Sequence, residues 1–194
     1  IGVKNVSVIT RKGISLIPAA QKVTREDLLA TFPDAKRIVA VDFYVQGAET
    51  WEAIAGGWQC EFEGVIFLNI DHHAQHESMV RFVSSGVLAT DYVCTHGILK
   101  GSDKCAIVIN HCDCDSTVAS AIVTGFVNPE WRFKEAVIAA DHTGEPNDIA
   151  DALQALESKR NLELSLATLD AFRYYQELSA EAREVLQARL EERA

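Results

Sequence analysis

The segment Val65-Ile66-Phe67-Leu68-Asn69-Ile70 is apolar at nearly every position and then turns abruptly polar at Asp71-His72-His73. A strand with one wet face would alternate. A run without alternation suits a central strand of a parallel sheet, covered on both faces. Two further runs share the pattern: Arg37–Val41 (RIVAV), closed by Asp42, and Ala106–Asn110 (AIVIN), closed by His111. Val3–Thr10 reads as another strand, ending in a turn at Arg11-Lys12-Gly13. Thr24 is the expected N-cap of a helix entering Leu28-Leu29. Helical patterns follow over Glu49–Ala55, Met79–Leu99, Thr117–Val127 and Phe133–Ala140. Strands alternating with helices define the expected class: α/β, a doubly wound, mainly parallel sheet flanked by helices.

From Pro146 the character changes. Leu153, Leu156, Leu162, Leu164, Leu169, Phe172, Leu178, Val185, Leu186 and Leu190 recur at helical spacing among Glu and Arg. Residues 1–145 are therefore expected to form the α/β domain, and residues 146–194 a C-terminal helical extension. That extension would pack on the domain or on a second subunit, making a homodimer.

Composition narrows the function classes. The chain has 194 residues, 48% hydrophobic and 24% charged, which excludes a disordered or fibrous protein. A net charge of −10 repels phosphate backbones at long range, so no long nucleic-acid coat is expected. No apolar run approaches the ~18 residues of a membrane span, so no membrane partner is expected. Ile1–Ala20 lacks the continuous apolar core of a signal peptide. The five cysteines are an odd number without framework spacing, which favours a reducing, cytoplasmic setting.

In open α/β sheets ligands gather at the carboxyl ends of strands. The three runs end in Asp42, in Asp71-His72-His73 and in His111-Cys112-Asp113-Cys114-Asp115, and Asp141-His142 closes a fourth apolar stretch. If the HCDCD segment stays extended, His111, Asp113 and Asp115 face one way and the two thiols the other. One imidazole and two carboxylates form a ligand set suited to Mn²⁺, Mg²⁺ or Co²⁺. The simpler reading makes Asp113 and Ser116 helix caps, with Cys112 and Cys114 as small buried thiols rather than zinc ligands. Free N–H groups at the following helix start could also meet an anion.

Asp71-His72-His73 after an apolar strand resembles the signature of the DHH phosphoesterase superfamily, which includes RecJ-like exonucleases and family II pyrophosphatases. His111-x-Asp113-x-Asp115 is similar to that family's first motif, Asp42 to the lone Asp of its second, and Ile138–Gly144 (IAADHTG) to its fourth. The resemblance spans about residues 37–145. The motif order here is second, third, first, fourth, as in a circular permutation. Ser116 stands where the family usually has Gly, and no Gly-Gly-Gly-His-type substrate domain is evident.

The resemblance implies a metal-dependent phosphoesterase. Its substrate would be a phosphodiester, phosphomonoester or phosphoanhydride, carried by a small phosphorylated molecule or a short oligonucleotide. Two divalent cations, Mn²⁺ first and Mg²⁺ or Co²⁺ as alternatives, would be held by Asp42, His72, His111, Asp113, Asp115 and Asp141. Asp42 would bridge them, His73 would face the substrate phosphate, and Asp71 would orient the imidazoles. The alternative is a DHH-like metal-binding sensor or interaction module without strong catalysis. Outside the motifs, His76 and Arg81 read as solvated bases, His142 as a neighbour of the ligands and His96 as structural. Trp51, Trp58 and Trp131 read as core or interface residues.

Overall fold

The structure is a computed structural model describing residues 7–73, 83–174 and 176–194. The three apolar runs form β3 (Arg37–Val41), β6 (Val65–Ile70) and β7 (Cys105–Ile109). They lie side by side and parallel, with β3 in the middle. Each is apolar at nearly every position because both faces are covered. β3 sends Ile38 and Ala40 to one core cluster, and Val39 and Val41 to the other. Burying each valine or isoleucine of this kind contributes about 1.5–3 kcal/mol.

β2 (Ile14–Leu16) extends the parallel set beyond β7, and β1 (Ile9–Arg11) closes that edge as a hairpin. The hairpin turn is Lys12-Gly13, both at positive φ (53° and 78°), as a two-residue turn between twisted strands requires. The described part of the expected Val3–Thr10 strand is thus shorter and later, and residues 1–6 lie outside the described structure. On the other edge, β5 (Gly57–Phe62) pairs antiparallel with β6, and β4 (Glu52–Ile54) with β5. The sheet order is β1-β2-β7-β3-β6-β5-β4.

This second edge corrects the helix expected over Glu49–Ala55. Only Ala48–Thr50 makes a 3₁₀ turn, and the chain then folds back through Ala55-Gly56, with Gly56 at φ 87°. A Cβ on Gly56 would sit 2.4 Å from the Leu88 carbonyl oxygen, so the glycine permits close packing as well as the turn.

α1 (Arg25–Thr31) covers one sheet face through Leu28. It starts in a capping box in which Thr24 and Asp27 satisfy each other's backbone N–H. The other face carries α2 (Ser85–His96), α3 (Cys114–Val123), α4 (Trp131–Ile138), α5 (Asp148–Leu156) and α6 (Leu162–Tyr174). Helices therefore flank the sheet on both faces, as expected. Of the helix expected over Met79–Leu99, α2 covers Ser85–His96, with residues 74–82 outside the described structure. The segment after Pro146 places Ile149, Leu153, Leu162, Leu166 and Leu169 in the same core cluster as Val118 and Ile122 of α3. α7 (Ala180–Arg193) packs through Ala182 near Leu156 and Leu164.

Candidate metal centre

The order β7-β3-β6 decides where the strand ends meet. Adjacent strands run about 4.8 Å apart, so Asp42 at the end of β3 stands between His111 after β7 and His72 after β6. Asp42 adopts φ 59°, a left-handed conformation that Asp tolerates better than most residues but that still costs about 1 kcal/mol. Such strain persists only where the surroundings impose it. Asn69, fully buried at the end of β6, supplies the restraint. Its Oδ1 accepts from Val45 N (2.9 Å), and its Nδ2 donates to Ala40 O (3.2 Å) and Phe43 O (2.9 Å).

The two oxygens of Asp42 look into different groups of side chains. Oδ2 lies 3.1 Å from His111 Nε2, which is itself 3.4 Å from Asp113 Oδ2. Oδ1 lies 3.6 Å from His72 Nε2, which also approaches Asp115 Oδ2 at 3.5 Å and Asp141 Oδ2 at 3.4 Å. Asp42, His111 and Asp113 thus make one cluster with ligand atoms mutually within 4.8 Å, as do Asp42, His72 and His73, and also His72, Asp141 and His142. All six residues expected as metal ligands converge, together with Asp71 and His73.

Donor placement agrees with cation binding. His111 Nδ1 is hydrogen-bonded to Asn110 Oδ1 (2.6 Å), so in the neutral ring Nε2, which faces the acids, would carry the lone pair a cation takes. His142 Nε2 donates to Val83 O (2.6 Å). His73 Nδ1 is hydrogen-bonded to the fully buried Asp71, while the His73 ring remains about half exposed. Asp141 Oδ2 is buried without a hydrogen-bond donor, though it faces His72. Carboxylate oxygens and imidazole nitrogens gathered this closely, with Asp141 Oδ2 lacking any donor, suit a hard divalent cation.

The charges show the same strain. Burial pushes the Asp42 carboxyl well above its usual range, and the charges of Asp115 and Asp113 add to the effect. Burial, followed by Asp115, pushes Asp141 up to about 9. His72 is shifted down by burial, against the pull of Asp115. His73 is shifted up by its hydrogen bond to Asp71. Burial opposes the charged forms of His111 and Asp113, but their mutual hydrogen bond and attraction win, raising the imidazole and lowering the carboxyl. Four carboxylates this close cannot all ionise without added positive charge.

The HCDCD segment is not extended throughout. Asp113 is the N-cap of α3, its Oδ1 accepting Ser116 N (2.8 Å), while its Oδ2 faces His111. Capping and site membership are both true of this residue. Asp115 reaches the site from the first helical turn, and Cys112 and Cys114 are fully buried in the core, where desolvation raises both thiols. The expected anion site at this helix start is largely occupied. Cys114 N donates to Gln154 Oε1 (2.9 Å), and Ser116 N and Thr117 N both donate to Asp113. Asp141 sits on a π turn, Ala139–Thr143, that continues α4. Such turns recur at functional sites because they re-aim side chains.

Several supporting residues escaped the sequence reading: Asn69, Ser85, Gly86, Gln154 and Arg160. Arg160 donates to Asn110 O (2.8 Å) and Ile17 O (3.1 Å), tying the C-terminal segment to the ends of β7 and β2. Ser84-Ser85-Gly86 ahead of Val87 is an N-cap signature that the longer helical pattern concealed. His76 and Arg81 lie outside the described residues. His96 packs on Tyr92 with ring centroids 4.7 Å apart. Trp51 packs on Phe67, whereas Trp131 is 69% exposed and so is not a core residue of this chain.

A cavity of about 290 Å³ lies at the opposite, amino-terminal edge of the sheet between Gly13, Pro33 and Ser102, away from the acid–histidine cluster. Among the described residues no helix is long and apolar enough to cross a membrane. Comparisons with family models, curated proteins and solved structures found no match.

Proposed function

We propose that the chain is a metal-dependent phosphoesterase whose catalytic centre holds two divalent cations, Mn²⁺ by preference. The observation that carries this reading is the divergence of the Asp42 oxygens toward His111 on one side and His72 on the other. Asp42 would be shared, with His111 and Asp113 completing one cation position and His72, Asp115 and Asp141 the other. Two divalent charges balance the four carboxylates Asp42, Asp113, Asp115 and Asp141. Bound cations of this kind supply Lewis acidity toward a phosphoryl oxygen and ease deprotonation of an attacking water.

The chain's own residues account for the remaining steps. Asp71 fixes the His73 ring through Nδ1 and raises its proton affinity, leaving Nε2 as the nitrogen available to a substrate oxygen. A protonated His73 can hydrogen-bond a phosphoryl oxygen or donate to a leaving oxygen. The motif order is no obstacle, because β7, β3 and β6 are spatial neighbours whatever their order in the chain.

The test pairs binding with turnover. Chelated protein titrated with Mn²⁺ is expected to take up two equivalents and to hydrolyse bis(p-nitrophenyl) phosphate only when loaded. Asp42→Asn and Asp115→Asn should each lower turnover by about 100-fold or more. Full rates in the chelated wild type, or in both variants, would overturn the proposal. Two equivalents of Mn²⁺ with no hydrolysis would leave a metal-binding sensor instead.

A further inference from the structure

The first turn of α2 also reaches the acid cluster. Ser85 is fully buried and makes two bonds to different acids: its Oγ donates to Asp42 Oδ1 (2.7 Å) and its backbone N–H to Asp115 Oδ2 (2.7 Å). Gly86 N completes the set by donating to Asp115 Oδ1 (2.7 Å). We infer that Ser85 is a positioning residue that keeps the Asp42 carboxylate divided between two cation positions. This rests on the two-cation reading proposed above.

The chemistry is that of a carboxylate with four acceptor lobes and a choice of orientations. If the Asp42 group rotates about its terminal torsion, both oxygens can chelate one ion. The second position then loses a shared ligand. The Ser85 hydroxyl occupies one lobe of Oδ1, which opposes that rotation while leaving the other lobe toward His72. Oδ2 remains directed at His111. The N–H bonds from Ser85 and Gly86 likewise hold Asp115 without occupying every lobe of its oxygens. A hydroxyl suits this place because it donates one proton and adds no charge to compete with a cation.

The experiment is an Mn²⁺ titration followed by electron paramagnetic resonance and calorimetry on wild type, Ser85→Ala and Ser85→Thr. Wild type should show the exchange-coupled signal of paired Mn²⁺ at two equivalents. Ser85→Ala, which is smaller and keeps its backbone bond to Asp115, should retain one tight equivalent. Its second equivalent should bind about tenfold or more weakly, with the coupled signal lost at matched loading. Ser85→Thr restores a hydroxyl and should recover the signal; thermal melts of the chelated proteins check folding. An unchanged coupled signal and unchanged second affinity in Ser85→Ala would overturn the role of Ser85 and leave the site standing. Absence of the coupled signal in wild type would overturn the two-cation reading and this inference with it.

Discussion

Asp42 is held from three directions. Its backbone lies in the left-handed region, its peptide neighbours are clamped by Asn69, and its carboxylate is bonded by Ser85. Asn is as tolerant of that backbone conformation as Asp, and it carries no charge to bury. Asp42→Asn should therefore melt at or above the wild-type temperature in chelator, yet gain nothing from Mn²⁺. A large loss of stability in chelator would show that the charge is needed for folding. Asp141 leads to a pH prediction. An unfolded Asp titrates near ~3.9 and the folded one at about 9, so between about pH 4 and 9 the cation-free folded chain retains a proton the unfolded chain has released. Cation-free stability thus falls as pH rises through that window. Urea midpoints in chelator should drop from pH 5 to pH 8, less steeply in Asp141→Asn. Equal slopes in the two proteins would refute the assignment.

At the scale of elements, α2 and α4 bring the acids of different segments into register. A Cβ on Gly86 would lie 2.8 Å from Val137 Cγ1 and 3.2 Å from Asp115 Oδ1, so the glycine sets how closely α2 approaches α4 and the site. Gly86→Ala should cost about 1–3 kcal/mol by overpacking and weaken Mn²⁺ binding together. Urea unfolding and calorimetry would measure both, and wild-type values in either would contradict the expectation. Asn69 plays the matching part on the strand side. Asn69→Leu leaves Val45 N and two carbonyls without their partner, at about 1–3 kcal/mol for each buried group left unpaired. Its denaturation midpoint should fall accordingly.

For the molecule as a whole, the helices after Pro146 belong to the centre's support. Gln154 caps the start of α3 beside Asp113, and Arg160 grips the ends of β2 and β7. Ile149, Leu153, Leu162, Leu166 and Leu169 are buried in the core cluster on that face of the sheet. At about 1.5–3 kcal/mol each, those five side chains rival the ~5–15 kcal/mol of net stability typical of a domain. A chain ending at Pro146 should lose cooperative unfolding by circular dichroism. Retention of a sharp transition would show that residues 1–146 fold without the helices.

The central strands were legible from local pattern. RIVAV, VIFLNI and AIVIN are apolar at nearly every position because both faces are covered, and each run leads into the acid or histidine that it delivers. The hairpin of β4 and β5 was not legible, since the short apolar positions over Glu49–Ala55 fit a helix as well as an edge strand. The acids and histidines of the cluster likewise stood in the chain, but their supports did not. Ser85 meets Asp42 across 43 residues and Arg160 meets Ile17 across 143. A buried serine, glycine or amide carries no signal of its own. Its role is decided by what packs against it, and that exists only once the sheet order and the helix faces have closed.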